Sequence, residues 1–248
     1  MDPTITTVAE RPEIAAELAA VARQAWPRFM LDGHSEAIRR FWPRLATDFP
    51  EYQFAFCDAD GSVMAAGHSM PFAWDGTDDG LPAGWDAVLE KGCRDRDEGL
   101  TATALTALSA VVLPGARRRG LSTQILREMK ALAREHGLGT LVAPARPPLK
   151  RQYPLTPMES YIRWTQDDGS PFDPWLRAHW RLGARIARIA HRSMVYTGTV
   201  AEWEEWCAMR FPESGRYVIP GGIEPLLIDR ERGRGLYEEP NVWMVYDR

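Results

Sequence analysis

"VVLPGARRRGLSTQILREMKALAREHG", residues 111–137, fixes the type of fold. A short β-branched run leads through Pro114 and Gly115 into three consecutive arginines. Leu121, Ile125, Leu126, Met129, Leu132 and Ala133 then recur at the spacing of a helix with one apolar face, and His136-Gly137 closes it. The run before it, "ALTALSAVVL" (104–113), and the run after it, "GTLVAPARP" (139–147), both read as buried strands. A strand-helix-strand unit of this length joins neighbouring parallel strands, so the chain is expected to build an α/β (α+β) fold.

The flanking segments extend this pattern. Ile14, Leu18, Val21 and Ala25 share one helical face between Pro12 and Pro27. A second helix is expected over 35–49, capped by Ser35 and kinked or divided by Pro43. "QFAFCDADGSVMAAGHSM" (53–70) is two apolar runs about an Asp58-Ala59-Asp60-Gly61 turn, the pattern of a β-hairpin; the ligands of a calcium loop are not completed there. Residues 72–99 form a polar insertion around one short helix near "GWDAVLEKG". Beyond 147 the chain is Pro-rich, turns helical at "PMESYIRW" and "DPWLRAHWRLGARI", and ends in strand-like pieces at "SMVYTGT", "RYVIPGGIEPLLID" and "NVWMVYD". No linker divides it, so residues 1–248 are expected to form a single elaborated domain, with a core over about 10–200 and strands and loops over 200–248.

Composition narrows the function. Of the 248 residues, 45% are hydrophobic and 26% charged, the balance of a soluble globular protein with a sizeable core. A net charge of -4 removes any general attraction to nucleic acid or anionic lipid, so an anion site must come from local clustering. Cys57, Cys93 and Cys207 are odd in number and lack CxxC spacing, which speaks against a disulfide framework or structural zinc and for reducing, cytoplasmic surroundings. No signal peptide is expected from the acidic first thirty residues, and no run reaches the ~20 apolar residues a membrane span needs. No motif supports a metal or a flavin.

A helix N-terminus presents unpaired N–H groups and a partial positive charge, which makes the turn at 117–121 a seat for phosphate. Gly120 permits close backbone approach, and Arg117, Arg118 and Arg119 add charged donors. GxxxxGK[ST] and GxGxxG are both missing, so neither a Walker loop nor a Rossmann site is supported. The alternative reading of the turn is a solvated basic loop that merely precedes a helix.

Residues 111–126 resemble the acyl-coenzyme A binding motif of the GNAT N-acetyltransferase superfamily, [RQ]-x-x-G-x-[GA] after an apolar strand end. The match is Arg117-Arg118-Arg119-Gly120-Leu121-Ser122, with Ser122 where the family prefers Gly or Ala. The order of elements over about 10–200 is similar to the same family. The resemblance implies a mixed central sheet with helices on both faces, in which two parallel strands splay into a V-shaped cleft, with pantetheine against Val111, Val112 and Leu113 and pyrophosphate on 117–123, Thr123 included. It also implies an acyl-CoA-dependent N-acyltransferase, in which an amine of a small molecule or peptide attacks acetyl-CoA or a longer acyl-CoA directly in a ternary complex. An acyl carrier protein is a further donor to consider, and a non-catalytic acyl-CoA-binding module is the alternative function.

Acyl transfer to an amine needs a base for the amine and an acid for the departing thiolate. Many members of that family supply the acid from a Tyr four residues before a Gly that ends a helix. Here the Gly is Gly183 and the residue is His179, which is equally open to being a buried histidine packed beside Trp175 and Trp180. Tyr153 and Tyr161 are reserve acids. The strand over 105–113 has no carboxylate, so a water chain ordered by Ser109 and ending at His68, Glu98 or Glu159 is considered for the base. Trp74, Trp85, Trp164, Phe172, Trp175, Trp203 and Trp206 are candidate walls over the cleft or members of an auxiliary core.

Overall fold

In the computed structural model, which describes residues 3–33 and 35–246, the unit predicted from 104–147 is present. Strand β4 (Ala104–Val112) and strand β5 (Leu141–Ala145) are parallel, and helix α6 (Leu121–Glu135) crosses between them. The apolar stripe of α6 lies inward, with Ile125, Leu126 and Met129 fully buried, and Gly137 ends it at φ +68°.

Strand β1 (Thr4–Thr7) precedes helix α1 (Ile14–Ala25), whose Ile14, Leu18 and Val21 are buried under the sheet. Three short helices follow, α2 (Arg28–Asp32), α3 (Glu36–Phe41) and α4 (Arg44–Asp48). Pro43 divides α3 from α4, and the Ser35 hydroxyl accepts from the Ile38 amide at 3.2 Å as the expected cap. The hairpin is β2 (Gln53–Cys57) and β3 (Val63–Phe72). The insertion carries α5 (Trp85–Asp97), whose thirteen residues exceed the short helix expected there. Helices α7 (Met158–Tyr161) and α8 (Pro174–Arg181) follow β5, and the Asp173 carboxylate caps α8 by accepting from Trp175 and Leu176.

The last part of the sheet is more extensive than the sequence pattern suggests. "SMVYTGT" is only the end of β6 (Ala184–Thr199), and "NVWMVYD" is the end of β9 (Arg234–Tyr246), with Asp247 outside the described residues. Between them lie α9 (Val200–Cys207), β7 (Gly215–Tyr217) and β8 (Leu226–Asp229). One mixed sheet of nine strands runs β1-β2-β3-β4-β5-β9-β8-β7, with β6 pairing along β9. One edge of β9 takes β6 along its length, and the other is shared by β8 at 234–236 and β5 at 242–245.

The decisive feature is where β4 and β5 part. Their register holds only for Leu105↔Leu141 and Thr106↔Val142, after which β4 continues to Val112 without a parallel partner. Pro144 has no amide proton to give to either neighbour, and it sits where the two strands have separated. The splay expected from the resemblance is present, and it opens the sheet at its centre.

Candidate active site

The gap between β4 and β5 is the floor of a cavity of about 700 Å³. One wall is β4 from Ala107 to Val112, the opposite wall Ala143, Pro144 and Ala145 of β5. At one end lie Arg117, Arg118, Gly120, Leu121 and Ser122. Gly120 sits at the start of α6 with φ +74°, a left-handed conformation that suits a residue without Cβ. Arg118 also has a positive φ, +65°, a region that residues with a Cβ seldom adopt. No side chain caps α6, and Gly120, Leu121 and Ser122 at its N-terminus line the cavity.

Three residues assigned to the acyl-CoA site in the sequence do not line this cavity. Arg119 turns to β3, where its Nη1 lies 3.0 Å from the Met64 sulfur. Leu113 packs against the apolar core with its amide on the Met64 carbonyl, and the Thr123 amide closes the first turn of α6 on Gly120. Val111, Val112, Arg117, Arg118, Gly120, Leu121 and Ser122 do line it. Leu113 and Arg119 belong to the turn between β4 and α6, where the chain bends away toward β3, and Thr123 is turned off the cavity by the rotation of side chains about α6.

The other end of the cavity is aromatic. Trp26, Trp42, Trp85 and Tyr196 enclose it with Met30, Leu31, Ile38 and Met194, and the Trp42 and Trp85 rings stack at 5.7 Å. The Trp85 indole donates to the Leu108 carbonyl at 2.7 Å, which anchors this ring to β4 where the floor opens. Of the tryptophans and phenylalanine proposed as walls, only Trp85 and Trp175 reach the cavity. Trp164 and Phe172 pack on Tyr153 and Tyr161, Trp203 lies against Phe29 and Trp206, and the Trp74 indole donates to Thr77 within its own loop. Trp26 and Trp42 were not singled out in the sequence, because each sits at a helix end beside a proline and carries no periodic signal.

Arg146, at the end of β5, shares the same wall as Gly221 and Asn241. Its Nε and Nη2 donate to the fully buried Glu239 carboxylate at 2.7 and 3.0 Å, and Nη2 also to the Gly221 carbonyl at 2.7 Å. Tyr237 donates to the same carboxylate at 2.8 Å, so the buried charge of Glu239 is both paired and hydrogen-bonded. Among the described residues that line the cavity there is no Asp or Glu.

His179 lies on the cavity wall in α8, 1% exposed, with its ring edge-on to Trp175 at 4.6 Å. Its Nδ1 is 2.8 Å from the Tyr246 hydroxyl, and its buried Nε2 has no partner. Burial pushes its pKa down to about 3, so the ring is neutral near pH 7 and holds no imidazolium proton to give. The reserve acid Tyr161 instead donates to Asp173 at 2.9 Å, outside the cavity, and burial raises its pKa.

The three candidate bases occupy different places. Glu98 ends α5 beside a separate surface hollow, and Glu159 pairs with His191 at 3.4 Å on the exterior. His68 is directly opposite Ser109 in the β3–β4 register, and Ser109 lines the cavity. Burial lowers the His68 pKa to about 4, Gln53 Oε1 is 3.0 Å from its Nδ1, and its ring rests 4.9 Å from Trp42. The cysteines are all buried, none lines the cavity, and burial raises each thiol pKa, to about 11 for Cys93 and Cys207.

No family model matches the chain. It is 30% identical to the arginine N-acetyltransferase avaD of Aspergillus versicolor, in an alignment that covers 98% of this chain and 93% of that protein. Two solved structures share the fold at 18% identity: the loading GNAT-like domain of CurA from Lyngbya majuscula, with TM-score 0.59 over 98% of this chain and 96% of that one, and the GphF GNAT-like decarboxylase in complex with isobutyryl-CoA, with TM-score 0.57 over 98% of both. The chain belongs to the GNAT N-acetyltransferase superfamily. It is an N-acyltransferase.

Proposed function

We propose that the protein transfers an acyl group from an acyl-coenzyme A to an amine held at the aromatic end of the cavity, by direct attack in a ternary complex. One observation carries this reading: a single cavity joins the uncapped N-terminus of α6 to the unpaired edge of β4 and then to the Trp26–Trp42–Trp85 enclosure. Pyrophosphate suits the amides after Gly120 with support from Arg117 and Arg118, and pantetheine suits the free backbone groups of β4. Because the walls come from positions between 22 and 241, we read residues 1–248 as one working unit.

The amine must lose a proton as it attacks. We assign this to a water chain ordered by Ser109 and by the neutral ring of His68 opposite it, which passes the proton to solvent because burial makes His68 too weak a base to keep it. The thiolate leaves toward His179, whose unpartnered Nε2 is the polar atom on that wall still seeking a bond. The cysteines, with raised thiol pKa values and positions off the cavity, do not favour a covalent intermediate.

The acceptor end offers ring faces and no carboxylate, so it suits an amine carried on a flat or apolar body. A guanidinium like that of the arginine on which the relative acts would be held here by stacking on indole faces. Calorimetric titration with acetyl-CoA and isobutyryl-CoA tests the donor: binding is expected, weakened in Arg118→Ala and unchanged in Arg119→Ala. Release of free thiol with arginine and with tryptamine as acceptors tests the transfer. No binding of either thioester, with turnover confined to an acylated carrier protein, would move the donor to that protein, and no binding or turnover with any of them would overturn the reading.

A further inference from the structure

The neutral ring of His179 exists as one of two tautomers, and they offer the cavity opposite chemistry. With the proton on Nε2 the ring is a donor toward the cavity, and with the proton on Nδ1 it is an acceptor there. Its one hydrogen-bond partner among the described residues is the Tyr246 hydroxyl, 2.8 Å from Nδ1, at the end of β9.

Counting protons separates the two states. If Nδ1 carries the proton and donates to the Tyr246 oxygen, the phenolic proton has no acceptor and Nε2 is also left bare, so two buried groups go unmatched. If Tyr246 donates to Nδ1, the proton must sit on Nε2, and only that N–H remains unmatched, on the cavity wall. Each buried polar group without a partner destabilises the fold, so the second arrangement, with one fewer, is favoured. Lys130 acts in the same direction. Its Nζ sits 5.1 Å from the centre of the Tyr246 ring, tethered to the Leu182 carbonyl at 2.9 Å, and a cation over the ring strengthens the phenol as a donor. No charged group among the described residues contributes to the lowered pKa of His179, for which burial is the only cause.

We infer that Tyr246 is a positioning residue that holds His179 in the Nε2–H tautomer, so that a neutral N–H faces the sulfur of the bound thioester. In this arrangement His179 stabilises negative charge on the departing sulfur through a hydrogen bond, and the proton that completes the thiol arrives from solvent, matching the one the amine gives up to the water chain. No net proton is lost by the ring or the phenol. The inference rests on the reading of His179 given above, and the two are separable by experiment.

Long-range nitrogen–proton correlation spectra of the uniformly ¹⁵N-labelled full chain report the tautomer directly. The wild-type protein is expected to show His179 protonated on Nε2, and Tyr246→Phe to show a mixture or the reverse tautomer. In the same variant thiol release from acetyl-CoA is expected to slow roughly 3–10-fold in kcat, the effect of one hydrogen bond, with acetyl-CoA affinity unchanged. His179→Gln, which keeps an N–H donor, is expected to retain more turnover than His179→Ala, and neither is expected to move the acid limb of the pH–rate profile. A wild-type spectrum with the proton on Nδ1 overturns the role of Tyr246 whatever the variants do, and so does a Tyr246→Phe protein with unchanged tautomer and kcat. Wild-type turnover in His179→Ala instead removes His179 from the reaction and overturns the catalytic half of the inference, while the tautomer measurement stands.

Discussion

Gly120 concentrates the demands of the turn in one residue. Its left-handed backbone lets the chain leave β4, pass the arginines and enter α6 with the helix N-terminus facing the cleft. An added Cβ would meet no atom within 4 Å, so the cost of Gly120→Ala is conformational, about 1–2 kcal/mol. Thermal or urea unfolding is expected to show that loss, together with weaker acetyl-CoA binding because the new methyl group occupies space beside the helix N-terminus. Glu239→Gln makes a larger claim. It leaves the Arg146 guanidinium buried without its counter-charge, and a loss of about 3–5 kcal/mol in urea unfolding is expected. At this scale the sequence was partly legible. Gly120, Ser122 and His179 stood out through spacing, whereas Arg146, Asn241 and Tyr246 did not, since each reaches the cavity or its wall through strand pairings made over long sequence separations.

Among the elements, helices with strong local signals were readable and the longest strand was not. Helix α6 has an unbroken apolar stripe, and α8 has its Asp173 cap and Pro174. In β6 the register shifts between Ile186 and Arg188 and again between Ala190 and Met194, which breaks the two-residue alternation that marks a strand. Arg185, Arg188 and Arg192 add charge along an edge strand, where charge discourages pairing between molecules. Glu202, Glu204 and Glu205 read as a solvated helix face, but each has a partner: Glu204 accepts from the Phe211 amide at 3.1 Å, and Glu205 accepts from Arg28 at 2.5 Å. Thr199 and Glu202 form a reciprocal cap at the start of α9, with the Thr199 hydroxyl accepting from the Glu202 amide at 3.2 Å and Glu202 accepting from the Thr199 amide at 2.7 Å. Thr199→Ala is expected to lower stability by about 1 kcal/mol without changing turnover, since α9 lies away from the cavity.

For the whole molecule, burial of His68 and His179 ties stability to pH. Both have pKa values below the ordinary histidine value of 6.5, about 4 and about 3, so below pH 6.5 the unfolded chain takes up protons that the folded one refuses. Their contribution is therefore complete above pH 6.5 and is lost as pH falls toward 4 for His68 and toward 3 for His179. Asp86 works the other way. Burial raises its pKa to about 6, so its contribution is largest below its ordinary range and declines as pH rises through 6. Unfolding free energies from urea titrations between pH 7 and pH 4 are expected to fall less steeply in His68→Gln than in the wild type, by up to about 3 kcal/mol at the acid end.

The placement of β9 also sets the order in which the molecule can be assembled. This strand follows every other described element along the chain, yet it lies inside the sheet and supplies the edges needed by β5, β6 and β8. Until it docks, three strands have exposed backbone edges and His179 has no tyrosine beside it, so an incomplete chain can hold the phosphate turn long before it has a working catalytic wall. Such long-range closure slows folding, and it makes the arrival of β9 the step at which a nascent chain passes from aggregation-prone intermediate to enzyme.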